Sequence, residues 1–270
     1  MTDTETDTSQ KLVKSENDYH NKPKPRLKEL PWSTLLFCLF LYMAQGIVIG
    51  NNISIPILLV DRNRSLKELA VLSQAFLPYS LKVFIAPLVD TFYIKSIGYR
   101  KTWIVFLFSA GGVLFLISSF YINDLLQGSV VNIAIFLFTL TTTQAIADVA
   151  VDAWSLALLS DYDPSLRTID EISGIRIGHL ISKTIFILLE SPDFCNKRIR
   201  PLFGLPEDKT QGVVTIDKFY LILGTLLIIM ALFALRKKEN LKKGQKYEGD
   251  LKTAYASLWK IVTTKNVWIT

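Results

Sequence analysis

The chain has 270 residues, half of them apolar, with a mean hydropathy of +0.32 and a formal net charge of +6. That apolar content excludes a soluble domain of ordinary surface chemistry. The positive charge does not signal nucleic acid, because the basic residues flank apolar runs instead of gathering on one soluble face, and two cysteines make no disulfide framework.

Residues 1–31 are rich in Thr, Asp, Ser, Asn, Lys and Pro. They carry too little apolar surface to fold alone and lack the apolar stretch of a signal peptide, so they read as a disordered cytosolic tail. Six apolar runs follow: Ser33–Val60, Val71–Ile94, Thr102–Ile122, Val130–Leu159, Ile172–Leu189 and Phe219–Leu235. Each approaches the roughly 20 residues needed to cross a hydrocarbon layer about 30 Å thick. Residues 32–235 are therefore expected to form an all-α, polytopic bundle of six transmembrane helices in the lipid bilayer.

Lys and Arg set the orientation. With both ends in the cytosol, 17 lie in the flanks and loops on that side and eight on the other, so the positive-inside rule favours cytosolic termini. Asn63-Arg64-Ser65 is then a glycosylation sequon in a short lumenal loop, and Cys195 a lone lumenal thiol that cannot reach Cys38 in the first span. Residues 236–250 form a basic linker. Beyond it Leu251, Ala254, Tyr255, Leu258, Trp259 and Val262 make an apolar stripe at helical spacing, which predicts an amphipathic helix on the membrane surface. Val267-Trp268-Ile269 reads as the start of a truncated seventh span, which completes the segment 236–270.

A charge at the centre of a span costs about 2.5–3.5 kcal/mol, so those present are expected to face the bundle interior or a wet cavity. They are Lys82, Asp90, Asp148, Asp152, Arg176, His179, Lys183 and Glu190. In the fourth span Gln144, Asp148, Asp152 and Ser155 fall at spacings of 4, 4 and 3, on one helical face. Such groups either bind helices together or line a pathway. No HExxH, Cys/His cluster or phosphate loop accompanies them, so the reading is not that of an enzyme, and no metal or cofactor is expected. Offsets counted from Leu166, the centre of the fourth loop, put Asp148 level with Lys183 and Asp152 between Arg176 and His179, with Arg100 a rival partner.

Several motifs carry a family resemblance. Ala86-Pro87-Leu88-Val89-Asp90, Tyr93 and Gly98-Tyr99-Arg100-Lys101-Thr102-Trp103 resemble the G-x-L-x-D-x-x-G-R-R/K signature between the second and third helices of major facilitators. Leu41-Tyr42, Gln45-Gly46, Ser54-Ile55-Pro56, Leu77-Pro78-Tyr79-Ser80-Leu81-Lys82, Asp148-Val149-Ala150-Val151-Asp152-Ala153-Trp154 and Leu189-Glu190-Ser191-Pro192-Asp193-Phe194-Cys195-Asn196 look like the acetyl-coenzyme A transporter family. The chain departs from that family at Ala147, usually Gln, at Ala153, usually Gly, and in a fifth helix that bears Arg176, His179 and Lys183 where the family is Gly-rich with a Gln.

The resemblance implies the N-terminal half of a major-facilitator fold, whose complete members have two six-span halves. It also implies carriage of acetyl-coenzyme A from the cytosol into the lumen of the endoplasmic reticulum or Golgi. Lys82, Gln144, Asp148, Asp152, Arg176, His179 and Lys183 would line the substrate cavity, and Asp90, Gly98, Arg100 and Lys101 would form the conformational motif. The partners are then acetyl-coenzyme A, the bilayer and a separate C-terminal six-helix half. An inert or regulatory truncated remnant, and a proton-coupled permease using Asp148, Asp152 and Glu190, are the alternatives.

Overall fold

The computed structural model describes residues 32–94, 96–160, 162–239 and 251–263. The expected tail at 1–31, most of the basic linker at 240–250 and the start of a seventh span at 264–270 lie outside the described residues. The helices are α1 (Trp32–Asp61), α2 (Leu66–Ser80), α3 (Lys82–Thr91), α4 (Tyr99–Ser118), α5 (Ile122–Gln127), α6 (Val130–Leu158), α7 (Pro164–Glu190), α8 (Ile216–Arg236) and α9 (Leu251–Thr263). Five of them are long and apolar enough to cross a membrane, and α2 with α3, bent by 44°, makes a sixth span. The protein is an all-α polytopic membrane protein.

Local chemistry explains the boundaries. Ser65 opens α2 with a capping box, accepting from the Glu68 N–H at 3.3 Å while Glu68 accepts from the Ser65 N–H at 3.0 Å. Asp163 caps α7 and Pro164 follows at its first position, where the missing N–H costs nothing. Pro78 withholds a donor inside the second span. The chain tightens to a 3-10 turn over Ser73–Phe76 and breaks at Leu81 (φ −92°, ψ −1°), so that Lys82 begins a new half-helix.

Packing follows a repeat. α1 lies against α7, α6 lies against the broken α2/α3 span, α4 pairs with α8, and α1 and α6 meet at the centre. Exchanging the first three spans with the last three maps this pattern onto itself, as in the inverted repeats nested within one half of a major facilitator. Gly46, Gly50 and Ser54 on α1 meet Gly174, Gly178 and Ser182 on α7, four residues apart on each helix. A Cβ at Gly46 would strike the Ile175 backbone, and one at Gly178 the Met43 and Ile47 backbones. With no side chains between them, the backbones come close enough for the Ser54 hydroxyl to donate to the Ser182 carbonyl and the Ser182 hydroxyl to the Ile47 carbonyl, each at 2.6 Å. Leu36, Phe40, Phe106, Phe138, Leu232 and Phe233 point outward, as a lipid-facing surface requires. The helix expected at the apolar stripe forms as α9 and rests against α3, where the Tyr255 hydroxyl donates to the Phe84 carbonyl at 2.9 Å.

Candidate functional site

The polar face of α6 organises the charges. Asp148 is 7% exposed, and the broken second span delivers Lys82 to it, Nζ to Oδ2 2.8 Å. Lys82 Nζ also stands 3.8 Å from Asp152 Oδ2. The other oxygen of Asp152 accepts from Arg167 Nη2 and from the Tyr42 hydroxyl, both at 3.0 Å. Ser155 closes the cluster, 2.7 Å from the Tyr42 hydroxyl and accepting from Arg167 Nε at 3.1 Å, and Glu171 takes the same guanidinium at 3.4 Å. The arrangement is a five-charge network spanning α3, α6 and the first turns of α7, with one lysine shared by two carboxylates. Net charge among Lys82, Arg167, Asp148, Asp152 and Glu171 is −1, so a proton or an external cation would fit there more readily than an anion.

This corrects the pairing drawn from offsets. Asp148 pairs with Lys82 and not with Lys183, and Asp152 pairs with Arg167 and Lys82, not with Arg176, His179 or Arg100. Equal depth does not give equal azimuth: α7 packs on α1, so its later residues do not face the acidic stripe of α6. Gln144 lies one turn along that stripe, wholly buried, with neither amide atom hydrogen-bonded. Arg176 is exposed, and His179 and Lys183 are partly buried. His179 sits beside Gly50 of α1, and Lys183 lies in a π-helical stretch, Leu180–Ile185, of a kind common at functional sites. Among the described residues neither Arg176 nor Lys183 has a carboxylate within 4.0 Å. Glu190 lies apart from the network, at the far end of α7 with Asp61, Arg62, Asp217 and Lys218 around a polar cavity of about 530 Å³. Asp148, Asp152 and Glu190 are therefore not one proton-binding cluster.

The four loop residues gather at the α3–α4 turn. The Tyr99 hydroxyl donates to the Asp90 carboxylate at 3.0 Å and to its carbonyl at 2.5 Å. Gly98 has φ +130°, a conformation that favours glycine. Arg100 is 8% exposed, and its backbone N–H donates to Glu239 Oε1 at 3.1 Å, which ties the segment just after α8 to this turn. Lys101 follows on the first turn of α4.

Sequence reasoning missed Arg167, Tyr42, Glu171 and Glu239 as parts of these sites. The fifth apolar run starts at Ile172 and leaves Arg167 in the preceding loop, but Asp163-Pro164 is a helix-start signal that places it one turn inside α7. The Gly46/Gly50/Ser54 and Gly174/Gly178/Ser182 spacings were equally readable. Glu239 has no local signal, since only the fold brings it to Arg100.

Comparison with known proteins bears on what this cluster belongs to. The family model described as acetyl-coenzyme A transporter 1 matches residues 34–268. An uncharacterized membrane protein of Saccharomyces cerevisiae is 33% identical over 226 residues, which cover 76% of this chain and 39% of that protein. An uncharacterized protein of Schizosaccharomyces pombe is 35% identical over 197 residues, covering 68% and 35%. A Rickettsia conorii protein provisionally named transporter AmpG 4 is 29% identical over 152 residues, covering 53% and 36%. No solved structure matches. The chain thus spans well under half the length of these relatives. Since the family match runs from the start of α1 through every described span, the chain belongs to the acetyl-coenzyme A transporter family.

Proposed function

We propose that the chain forms one six-span half of a carrier that moves acetyl-coenzyme A by alternating access, from the cytosol into the lumen of the endoplasmic reticulum or Golgi, with both ends cytosolic. One observation carries the choice of a polyanionic substrate. Lys82 and Arg167 are neutralised by carboxylates, whereas Arg176 and Lys183 in the same half-bundle have none within 4.0 Å among the described residues. Phosphate groups would supply the missing charge through charge-assisted hydrogen bonds. A second half would close the cavity, since carriers of this architecture bind substrate between two repeats. Family membership supports transport and not catalysis.

The test is uptake of radiolabelled acetyl-coenzyme A into vesicles holding this chain with and without a co-expressed C-terminal half. Uptake that requires the partner supports the proposal; none in either case favours a remnant or regulatory role. The shared lysine favours one second reading, a proton-coupled permease for another solute, in which protonation of Asp148 would release Lys82. Uptake driven by a pH gradient, lost in Asp148→Asn and indifferent to excess coenzyme A, would select it.

A further inference from the structure

The segment joining α7 to α8 is built as a rigid support for an apolar tip. At its base the Val214 N–H donates to the Leu189 carbonyl at 3.1 Å, and the buried Cys195 thiol donates to the same carbonyl at 3.2 Å. Asn196 and Asp208 exchange two hydrogen bonds, side-chain amide to carbonyl at 2.8 Å and backbone N–H to side-chain oxygen at 3.1 Å. Arg200 spans the interior, donating to the Pro206 carbonyl at 2.8 Å and the Gln211 carbonyl at 3.0 Å. The turn itself is closed by Leu205 N–H to the Arg200 carbonyl at 2.9 Å around Gly204, whose φ is +62°. What this framework holds out is Leu202, 76% exposed, Phe203, 69%, and Leu205, 46%.

A polar loop needs no such support, and a slack apolar loop would fold its side chains inward. Three large apolar groups held away from their own protein mark an interaction surface. We propose that residues 201–205 are an interfacial anchor, with Leu202, Phe203 and Leu205 entering the headgroup and upper acyl region of a phospholipid bilayer. The occupant is lipid because the base of the loop is bonded to Leu189 in the last turn of a membrane span, which fixes it at the membrane boundary. Lys197, Arg198 and Lys209 are exposed in the loop around the tip, and with Arg200 they outnumber Asp193, Glu207 and Asp208 by one charge, a small excess that suits headgroup phosphates. Phe120, 80% exposed, and Tyr121, 55%, follow the end of α4 on the same side of the bundle, where an aromatic belt belongs.

The test attaches an environment-sensitive fluorophore at Phe203→Cys in the full chain, reconstituted into vesicles of phosphatidylcholine and phosphatidylglycerol. Cys38 and Cys195 are both buried, which limits background labelling. The anchor predicts blue-shifted emission, quenched severalfold more strongly by lipids bearing a nitroxide high on the acyl chain than by aqueous iodide. A label at Lys209→Cys should show the reverse. Leu205→Cys serves as a second site if the first variant reconstitutes poorly. A label at 203 as open to iodide as that at 209 overturns the proposal. Protection from both quenchers overturns it too, because the tip then lies against protein, either a second copy or the remainder of a longer carrier.

Discussion

Lys82→Met and Asp148→Asn remove the same ion pair, yet the structure makes them unequal. Asp148 is 7% exposed, and without Lys82 its nearest charged neighbour on α6 is Asp152, a second carboxylate. A buried charge left without a partner costs about 3 kcal/mol or more. Asp148→Asn instead leaves Lys82 with water, since its side chain is 40% exposed, and with Asp152 at 3.8 Å. That loss resembles an exposed pair, about 1 kcal/mol or less. The gap of about 2 kcal/mol is roughly a thirtyfold difference in the ratio of folded to unfolded protein. Reversible unfolding in mixed micelles, driven by a denaturing detergent and followed by tryptophan fluorescence, reads it directly. The double variant should lie near Asp148→Asn and well above the sum of the singles, because the two changes share one interaction. Lys183→Met should stay within about 0.5 kcal/mol of the parent, as expected away from such pairs. Equal losses from Lys82→Met and Asp148→Asn would refute the reasoning, and a large loss from Lys183→Met would restore the pairing read from offsets.

Other outcomes are equally direct. Ser182→Ala removes one interhelical hydrogen bond and should cost about 0.6–1.7 kcal/mol in the same assay; Gly178→Leu, whose side chain would enter the Met43 backbone, should abolish folded yield on size-exclusion chromatography. In a reconstituted two-half carrier, Asp90→Ala and Glu239→Gln should lower the maximal transport rate severalfold with little change in half-saturating substrate, because both act at the α3–α4 turn away from the cavity; a changed half-saturation alone would count against this. An acceptor sequon engineered near Gln211 should be glycosylated in microsomes and one near Gln10 should not, and the reverse result would invert the proposed orientation.

The spans were legible because membrane length and apolar content leave little freedom. The first, fourth and sixth runs match α1, α6 and α8 to within three residues at each end. The fifth was read eight residues late, at Ile172 against Pro164. Its first turns carry Arg167, Asp170 and Glu171, which depress hydropathy although they are inside the helix. The polar face of α6 was also legible, since a 4, 4, 3 spacing fixes an azimuth on one helix. No apolar pattern marks the bend at Leu81, and its one local signal is Pro78, three residues before it. Contacts between elements stayed hidden: Glu239 and Arg100 are 139 residues apart, and no periodicity joins them.

The failed pairing shows what such hidden contacts decide. Depth along the membrane is a one-dimensional quantity that loop offsets estimate well, whereas a salt bridge also needs two helices to turn the right faces to each other. On α7 those faces are set by Gly174, Gly178 and Ser182, which bind the helix to α1 and leave no freedom to rotate Lys183 toward α6. The acid stripe is met instead from α3, where the break at Leu81 starts a new half-helix and brings Lys82 to Asp148, and from the first turn of α7, where Arg167 reaches Asp152. The same small-residue seam that excludes Lys183 from the network is therefore what leaves it, like Arg176, with no carboxylate within 4.0 Å among the described residues. Filling the seam at Gly174 or Gly178 should thus disturb more than packing, because any rotation of α7 that relieves the clash carries the two cations away from the positions a phosphate would need.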